Sequence, residues 1–292
     1  MDEYTEKELN YIARMCPMND VMMQVMFEDN VELVEYILRL MTGIKDLTVL
    51  RMETQKNING SLLYKSVRFD VYAVDSAGRK YNLEIQNKPS GAHGDRARYY
   101  MGMMDTHSVK KGEEEIILPQ TYVIFIVTST SYEIKKPLYH FIYKEIETNL
   151  PLDTESHIIY FDLSCNAKKE LEDLQHDLQC VNPRDMRIDV MKRSATWCKE
   201  TDIGVRKMCA ISREIFQDGV DAGKKEGIDI GKKEGIDIGK REGIDIGKRE
   251  GIDIGKRETV IDYVKKGKLS IAEGAKDLNI TSSELEEMLK AK

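Results

Sequence analysis

Two segments of alternating side-chain character, joined by a short glycine-containing turn, predict a β-hairpin over residues 67–87. Alternate side chains of a strand share a face, so Asp70 is expected on the face opposite to Phe69. A three-residue turn over residues 76–78, with its glycine in the left-handed position, pairs the two arms so that Asp70 comes opposite Glu84. Directly opposed side chains have Cβ atoms about 4.5–5.5 Å apart. The sequence therefore predicts two neighbouring carboxyl groups across the hairpin.

This pair of carboxylates has two interpretations. Two such charges repel each other, and the apolar residues around Asp70 and Glu84 indicate a sheet covered on both faces, where an unpaired charge is costly. A divalent cation removes both problems, and Mg²⁺ is usually held by one or two carboxylates together with water and phosphate oxygens. The same pattern also fits two acidic side chains on the solvated face of an ordinary hairpin. Spacing alone leaves both interpretations open.

Further segments accompany the hairpin along the chain. The residues concerned are Val67-Arg68-Phe69-Asp70-Val71-Tyr72-Ala73, Gly78 and Tyr81-Asn82-Leu83-Glu84-Ile85-Gln86 in the hairpin, and Asn19-Asp20, Phe27, Arg96-Ala97-Arg98-Tyr99-Tyr100, residues 118–126 and Asn182-Pro183-Arg184-Asp185-Met186 outside it. Together they resemble the PD-(D/E)XK nuclease superfamily, in the branch of recombination-promoting nucleases or putative transposases. The resemblance covers about residues 15–215. Gln86 stands where the superfamily name has a lysine. A glutamine at this position resembles the usual pattern of this branch.

The resemblance implies an α/β fold with a restriction-endonuclease-like core, in which a mixed central sheet is flanked by helices. It also implies a metal-dependent DNA endonuclease linked to recombination, transposition or phage defence. Asp70 and Glu84 would hold Mg²⁺, or Mn²⁺ in its place, with the Ile85 carbonyl as a third ligand. Gln86 would orient the attacking water or a phosphate oxygen. No feature of the sequence distinguishes DNA from RNA by recognising the ribose 2′-hydroxyl, so RNA remains an alternative substrate.

A binding protein that has kept this fold without cutting is the main alternative. Gln24 and Gln86, both in place of lysines, support it, as does the formal net charge of −7. The local charge favours nucleic acid, because residues 79–111 hold seven basic and three acidic residues. Lys88, Arg96 and Arg98 are therefore predicted to contact DNA phosphates.

The order of predicted elements agrees with the restriction-endonuclease-like core. Glu32 or Glu35 on the first helix is a further candidate for the carboxylate site, although helical carboxylates are usually only solvated. A wholly apolar run over residues 122–127 is typical of a buried central strand. The full prediction is helices over residues 20–41, 95–109, 167–180 and 184–215, and strands over residues 46–53, 67–74, 81–86, 122–127, 138–144 and 157–163.

An eight-residue repeat follows the core. Residues 219–258 contain five copies of Gly-Ile-Asp-Ile-Gly-Lys-(Lys/Arg)-Glu, the first of them degenerate. Each glycine in a helix costs about 0.8–1.0 kcal/mol relative to alanine, so the segment is expected to be a weak helix alone. It would either connect two parts of the chain or be stabilised by self-association.

A small helical module is predicted over residues 259–292. Ser270 and Thr281 each begin a capping box, with Glu273 and Glu284 three residues later. The order resembles a helix-turn-helix, but the acidic second helix favours a protein contact, such as a homo-oligomer, over reading of DNA. The predicted domains are thus a nuclease-like domain over residues 1–218, a repeat over 219–258 and the module over 259–292.

Composition excludes several other classes. The five cysteines are scattered without C-x-x-C spacing, so neither a disulfide framework nor a zinc site is indicated. The acidic, polar first residues and the absence of a long apolar run predict a cytoplasmic protein without a membrane segment.

Overall fold

The computed structural model describes residues 4–58, 66–87, 89–109, 112 and 115–290. The helices are α1 (Glu6–Ala13), α2 (Asp20–Phe27), α3 (Val31–Thr42), α4 (Gly94–Thr106), α5 (Glu170–Gln179), α6 (Asp189–Glu200), α7 (Asp202–Lys265), α8 (Ile271–Leu278) and α9 (Ser282–Lys290). The strands are β1 (Val49–Ile58), β2 (Val67–Asp75), β3 (Lys80–Gln86), β4 (Thr121–Val127), β5 (Leu138–Phe141) and β6 (Ser156–Asp162). Two compact units divide the chain, Met1–Phe216 and Gln217–Lys292.

The first unit is built on a six-stranded sheet in the order β1-β2-β3-β4-β6-β5. The β1-β2-β3 segment is antiparallel, β4 lies parallel to β3 and β6, and β5 is antiparallel to β6. Every residue of β4 is buried, which confirms the central strand predicted from its apolar run. The sheet is therefore mixed, and the restriction-endonuclease-like α/β fold is confirmed.

Two apolar clusters cover the two faces of this sheet. One face packs against α2, α3, α5 and α6, and the other against α4. Neighbouring residues of β4 enter different clusters, Ile124 the first and Phe125 the second, as a strand buried on both sides requires. Polar groups on the inner strands are consequently enclosed from two sides.

The hairpin between β2 and β3 forms as its turn residues predict. Gly78 has φ +79°, the left-handed conformation, and the Asp75 amide donates to the Arg79 carbonyl at 3.1 Å. Val71 pairs with Leu83, so the next pair outward is Asp70 and Glu84. The predicted register is confirmed.

The first predicted helix is wrong in one respect, because residues 20–41 form two helices instead of one. The chain leaves helical geometry at Asp29, whose φ is +54°. Asn30 then caps α3 by accepting from the Leu33 amide at 3.2 Å, while its own amide donates to the Met26 carbonyl at 2.9 Å. A single Asn thus ends one helix and begins the next.

Other predicted boundaries also shift. The first strand begins at Val49 and extends to Ile58, beyond the predicted 46–53, because it pairs along most of β2. The predicted helix over residues 184–215 is interrupted at Thr201, whose backbone is extended. Just after it, a Cβ on Gly204 would lie 2.1 Å from the Trp197 carbonyl oxygen, so a close helix crossing fixes this break.

The second unit contains the whole repeat and the C-terminal helices. The repeat lies within α7, and a Cβ built on any of its glycines, for example Gly239, meets no atom within 4 Å. The two capping boxes form as predicted, with Ser270 accepting from the Glu273 amide and Thr281 from the Glu284 amide, each at 3.3 Å. In the described part of the chain, no helix combines the length and the apolar character that crossing a membrane requires.

Candidate active site

The two predicted carboxylates meet where the β2–β3 ladder ends. Beyond the Val71–Leu83 pair, the Asp70 amide donates to Glu84 Oε1 at 3.2 Å. In return, the Ile85 amide donates to Asp70 Oδ2 at 3.0 Å. Each carboxylate therefore replaces a backbone acceptor on the neighbouring strand. This exchange holds both side chains between the strands, and the strand pairing itself brings them together.

Strict alternation along β2 predicts Phe69 on the same face as Val71, and this prediction is wrong. Phe69 packs with Tyr72 at a ring-centroid distance of 6.3 Å, whereas Val71 lies in the cluster on the opposite face. The alternation of β2 is therefore interrupted at Asp70. Opposite this point on β1, Gln55 has φ +49°, and the regular pairing skips it. The interruption directs the Asp70 carboxylate toward β3 instead of straight out of one face.

Burial dominates the electrostatics of the pair. Glu84 has no exposed surface. Its pKa is raised by burial and by the charge of Asp70, against which Arg96 and the Asp70 amide act in the lowering direction. The pKa of Asp70 is also raised, first by burial and then by the charge of Asp20, although the hydrogen bond from Ile85 lowers it. The nearby positive charge does not fully compensate the two carboxylates.

Arg96 lies on α4 and covers Glu84. Its Nη2 donates to Glu84 Oε2 at 3.0 Å, and its Nη1 donates to Gln86 Oε1 at 3.3 Å and to the Gly91 carbonyl at 2.7 Å. Its Nε donates to the Tyr100 hydroxyl at 2.7 Å. The sequence predicted a phosphate contact for Arg96; the structure shows it bound to the carboxylate site itself.

A cleft of about 1660 Å³ opens beside these residues, between α2 and α4. Asp70, Gln86 and Arg96 reach it, whereas Glu84 is not part of its wall. Its basic side chains are Arg68, His93, Arg96, Arg98 and His107. Three arginines, Arg68, Arg96 and Arg98, share this wall with Asp20, Asp70 and Asp95, so the cleft offers guanidinium groups for phosphate oxygens next to carboxylates that suit a cation.

The remaining predicted phosphate contacts fall in different places. Arg98 lines the cleft, is 77% exposed and pairs with Asp95 at 3.6 Å. Lys88 lies outside the described residues. Arg98 is thus more exposed to a ligand than Arg96, which lines the same cleft but also donates to Glu84.

The helical carboxylate whose charge acts on Asp70 is Asp20, not Glu32 or Glu35. Asp20 begins α2, lines the cleft and raises the pKa of Asp70 through its charge. The hypothesis for the other two is wrong: Glu32 pairs with Arg193 at 2.7 Å, and Glu35 accepts from the Val49 amide at 2.9 Å. The Asn19-Asp20 start of the helix was the only sequence signal for Asp20.

The donor set fits a hard divalent cation. Asp70 and Glu84 offer carboxylate oxygens, which are the ligands that Mg²⁺ and Mn²⁺ prefer, and the site lacks the thiolates that soft metals select. Among the described residues, no three acidic, His or Cys side chains are grouped to form a full coordination cage. Water and substrate oxygens would therefore complete the coordination, as is usual for Mg²⁺.

A mixed sheet carrying two carboxylates at a strand opening places the molecule among the restriction-endonuclease-like proteins. A family model described as PD-(D/E)XK nuclease family transposase matches residues 17–180, more than half of the chain. The chain belongs to this family, which confirms the resemblance found in the sequence. No curated protein and no solved structure gives a match.

Proposed function

We propose that this protein is a divalent-metal-dependent DNA endonuclease. The observation that carries the proposal is the exchange of hydrogen bonds that holds Asp70 and Glu84 together beside a cleft lined by three arginines. Membership of a PD-(D/E)XK nuclease family supports the reaction class. A bound cation would stabilise the charged form of this pair, since burial raises the pKa of both side chains and a like charge adds to it, Asp20 at Asp70 and Asp70 at Glu84.

Asp70 and Glu84 would hold the ion, with the Ile85 carbonyl as a third protein ligand. A bound Mg²⁺ or Mn²⁺ lowers the pKa of a coordinated water and neutralises charge on phosphate oxygens. In the reaction, the water oxygen bonds to phosphorus, the bond from phosphorus to the leaving sugar oxygen breaks, and the leaving oxygen takes up a proton. Asp20, which lines the same cleft, would accept the proton that the water loses.

DNA would lie in the cleft between α2 and α4. Arg98 is accessible there for a phosphate contact, and Lys88 is proposed as a second such contact. The biological setting, in recombination, transposition or phage defence, is proposed from the family alone.

Binding without cutting is the second candidate. Glu84 is fully buried beneath Arg96, and Gln86 carries no charge, so a protein that binds DNA but turns over poorly would have the same appearance. The two candidates differ in their response to metal.

A plasmid-nicking assay separates them. Wild type, Asp70→Ala and Glu32→Gln are incubated with supercoiled DNA in Mg²⁺, in Mn²⁺ and in EDTA. Glu32 is a matched acidic control, because it lies in an exposed ion pair with Arg193. Nicking by wild type and Glu32→Gln alone, and only with metal, supports the endonuclease. DNA binding without nicking at any metal concentration supports the binding protein, and a parallel RNA substrate tests the choice of nucleic acid.

For the C-terminal part, we propose the division into a repeat over residues 219–258 and a module over 259–292 that mediates self-association. The repeat presents exposed isoleucines, such as Ile236 at 59% and Ile252 at 61%. Such side chains gain from burial in an oligomer. Light scattering on the full chain and on a chain ending at Gln217 tests this, and equal masses per chain would contradict it.

A further inference from the structure

Position 86 contacts the carboxylate site without bringing a charge to it. Gln86 Nε2 lies 3.5 Å from Glu84 Oε2, so the side chain at this position extends to the proposed metal-binding carboxylate. Its amide is neutral, with one acceptor and two donor hydrogens. The acceptor, Oε1, is used by Arg96 at 3.3 Å. Gln86 therefore contacts both Glu84 and Arg96. Among the described residues, Arg96 is the only arginine whose guanidinium pairs with Glu84.

The guanidinium of Arg96 is held in a fixed orientation. Four acceptors bind it: Glu84 Oε2, Gln86 Oε1, the Gly91 carbonyl and the Tyr100 hydroxyl. Its three nitrogens are all engaged, and the rigid plane of the group makes this arrangement specific for arginine. The side chain nevertheless remains 30% exposed and lines the cleft. The four bonds use four of the five N–H hydrogens, so the edge with the remaining Nη2 hydrogen is left to donate to a ligand in the cleft.

Gly91 completes this anchor. A Cβ at residue 91 would lie 2.3 Å from Gln86 Oε1 and 3.6 Å from Arg96 Nη1. Any side chain there would push the Gln86 amide away from its position. The backbone of Gly91 approaches the pair closely and also supplies the carbonyl that accepts from Arg96 at 2.7 Å. Three separate elements of the fold, β3, the turn at Gly91 and α4, therefore cooperate to place one positive charge.

The geometry points to Arg96 as the cationic catalytic residue of this active site and to Gln86 as the positioning residue that holds it beside Glu84. The inference rests on the proposed nuclease function and refines it. The charge that a lysine at position 86 would carry on β3 is supplied instead from α4. In the complex with DNA, the exposed edge of the guanidinium donates to an oxygen of the scissile phosphate, where negative charge develops as water attacks.

A charge-relocation experiment tests this assignment. The four proteins are wild type, Arg96→Gln, Gln86→Lys and the double variant, compared in single-turnover nicking of plasmid DNA with Mg²⁺. Arg96→Gln should slow nicking by about 100-fold or more, as removal of one transition-state donor does. Gln86→Lys in that background should restore at least about tenfold, because its ammonium reaches the same carboxylate.

The control is Arg98→Gln, a matched change on the same helix at an exposed position. It should weaken DNA binding, and Gln86→Lys should not rescue it. A double variant as slow as Arg96→Gln, while circular dichroism and melting temperature show a folded protein, overturns the inference. Rescue of the Arg98 variant to the same extent also overturns it, because the added charge would then be acting on DNA binding in general.

Titration with Mn²⁺ alone gives a readout independent of activity. Arg96→Gln should bind Mn²⁺ severalfold more tightly than wild type, because a competing cation has left Glu84, and Gln86→Lys should reverse this gain. Equal Mn²⁺ affinities for wild type and Arg96→Gln would overturn the inference that the Arg96 charge acts at the metal-binding carboxylate Glu84. Wild type that neither binds Mn²⁺ nor nicks DNA would refute the proposed function, and this inference with it. Active wild type without rescue refutes the inference alone.

Discussion

Replacing Asp70 by Asn should stabilise the metal-free protein at pH 8 and abolish nicking. Asp70 and Glu84 follow the last pair of the β2–β3 ladder and bind each other's strands, with Glu84 buried and Asp70 half-buried. Asn keeps an oxygen that accepts from the Ile85 amide, so the variant loses the charge but not the hydrogen bond. Loss of the proposed metal ligand removes the reaction, and loss of the repulsion favours the folded state.

The size of the gain follows from the geometry. Two unit charges about 5 Å apart repel by about 3 kcal/mol at an effective dielectric constant of about 20. Arg96, which donates to Glu84, offsets part of this repulsion. We therefore expect the free energy of unfolding to rise by about 1–2 kcal/mol at pH 8.

The gain should depend on pH with a defined sign. An acid whose pKa is higher in the folded protein binds its proton more tightly there, so a rising pH lowers the free energy of unfolding between the ordinary and the raised pKa. Asp70 and Glu84 both have raised pKa values. The advantage of Asp70→Asn should therefore grow as the pH rises above the ordinary carboxyl range, be larger at pH 8 than at pH 5, and vanish as the pH falls toward about 4, where both carboxyls are protonated.

Urea unfolding in EDTA at pH 8 and pH 5 measures this effect. Glu32→Gln is the control, since its exposed ion pair should change stability by less than about 0.5 kcal/mol. An Asp70→Asn protein that is less stable than wild type at pH 8, or equally stabilised at both pH values, would refute the argument from repulsion.

Three further predictions concern other positions. Asp20→Asn should slow nicking about tenfold or more without changing the fold, as judged by circular dichroism, because it removes the proposed proton acceptor. Gly91→Ala should slow nicking about tenfold or more with little change in melting temperature, since its Cβ would displace Gln86; unchanged nicking would contradict this. Gly239→Ala should stabilise the repeat helix by about 0.8–1 kcal/mol, measured by thermal melting of its helical signal, because its Cβ meets open space.

The hairpin shows how much of the site could be predicted from sequence. Its register depends on a turn of three residues and on the left-handed Gly78, which are local features. Once the turn is set, pairing places Asp70 opposite Glu84 without reference to the rest of the chain. The wrong orientation of Phe69 has a distant cause, since the break in alternation lies opposite Gln55 on another strand.

The partner of Arg96 could not be predicted from the sequence. A count of charges correctly placed Arg96 in a basic segment, yet it could not choose between a phosphate and a carboxylate as its partner. That choice depends on how α4 packs on the sheet. Likewise, nothing in the helical pattern distinguished Asp20, which faces the cleft, from Glu32, which faces Arg193.

The sequence by itself determined the features governed by neighbours along the chain: the turn at Gly78, the buried strand β4, the capping boxes and the helical repeat. Only the tertiary structure decided that Glu84 is fully buried, that Arg96 covers it and that Asp20 and Asp70 line one cleft. The physical reason is that turn geometry and side-chain periodicity act over a few residues. Desolvation and charge pairing arise between segments that meet only when the sheet and its helices pack.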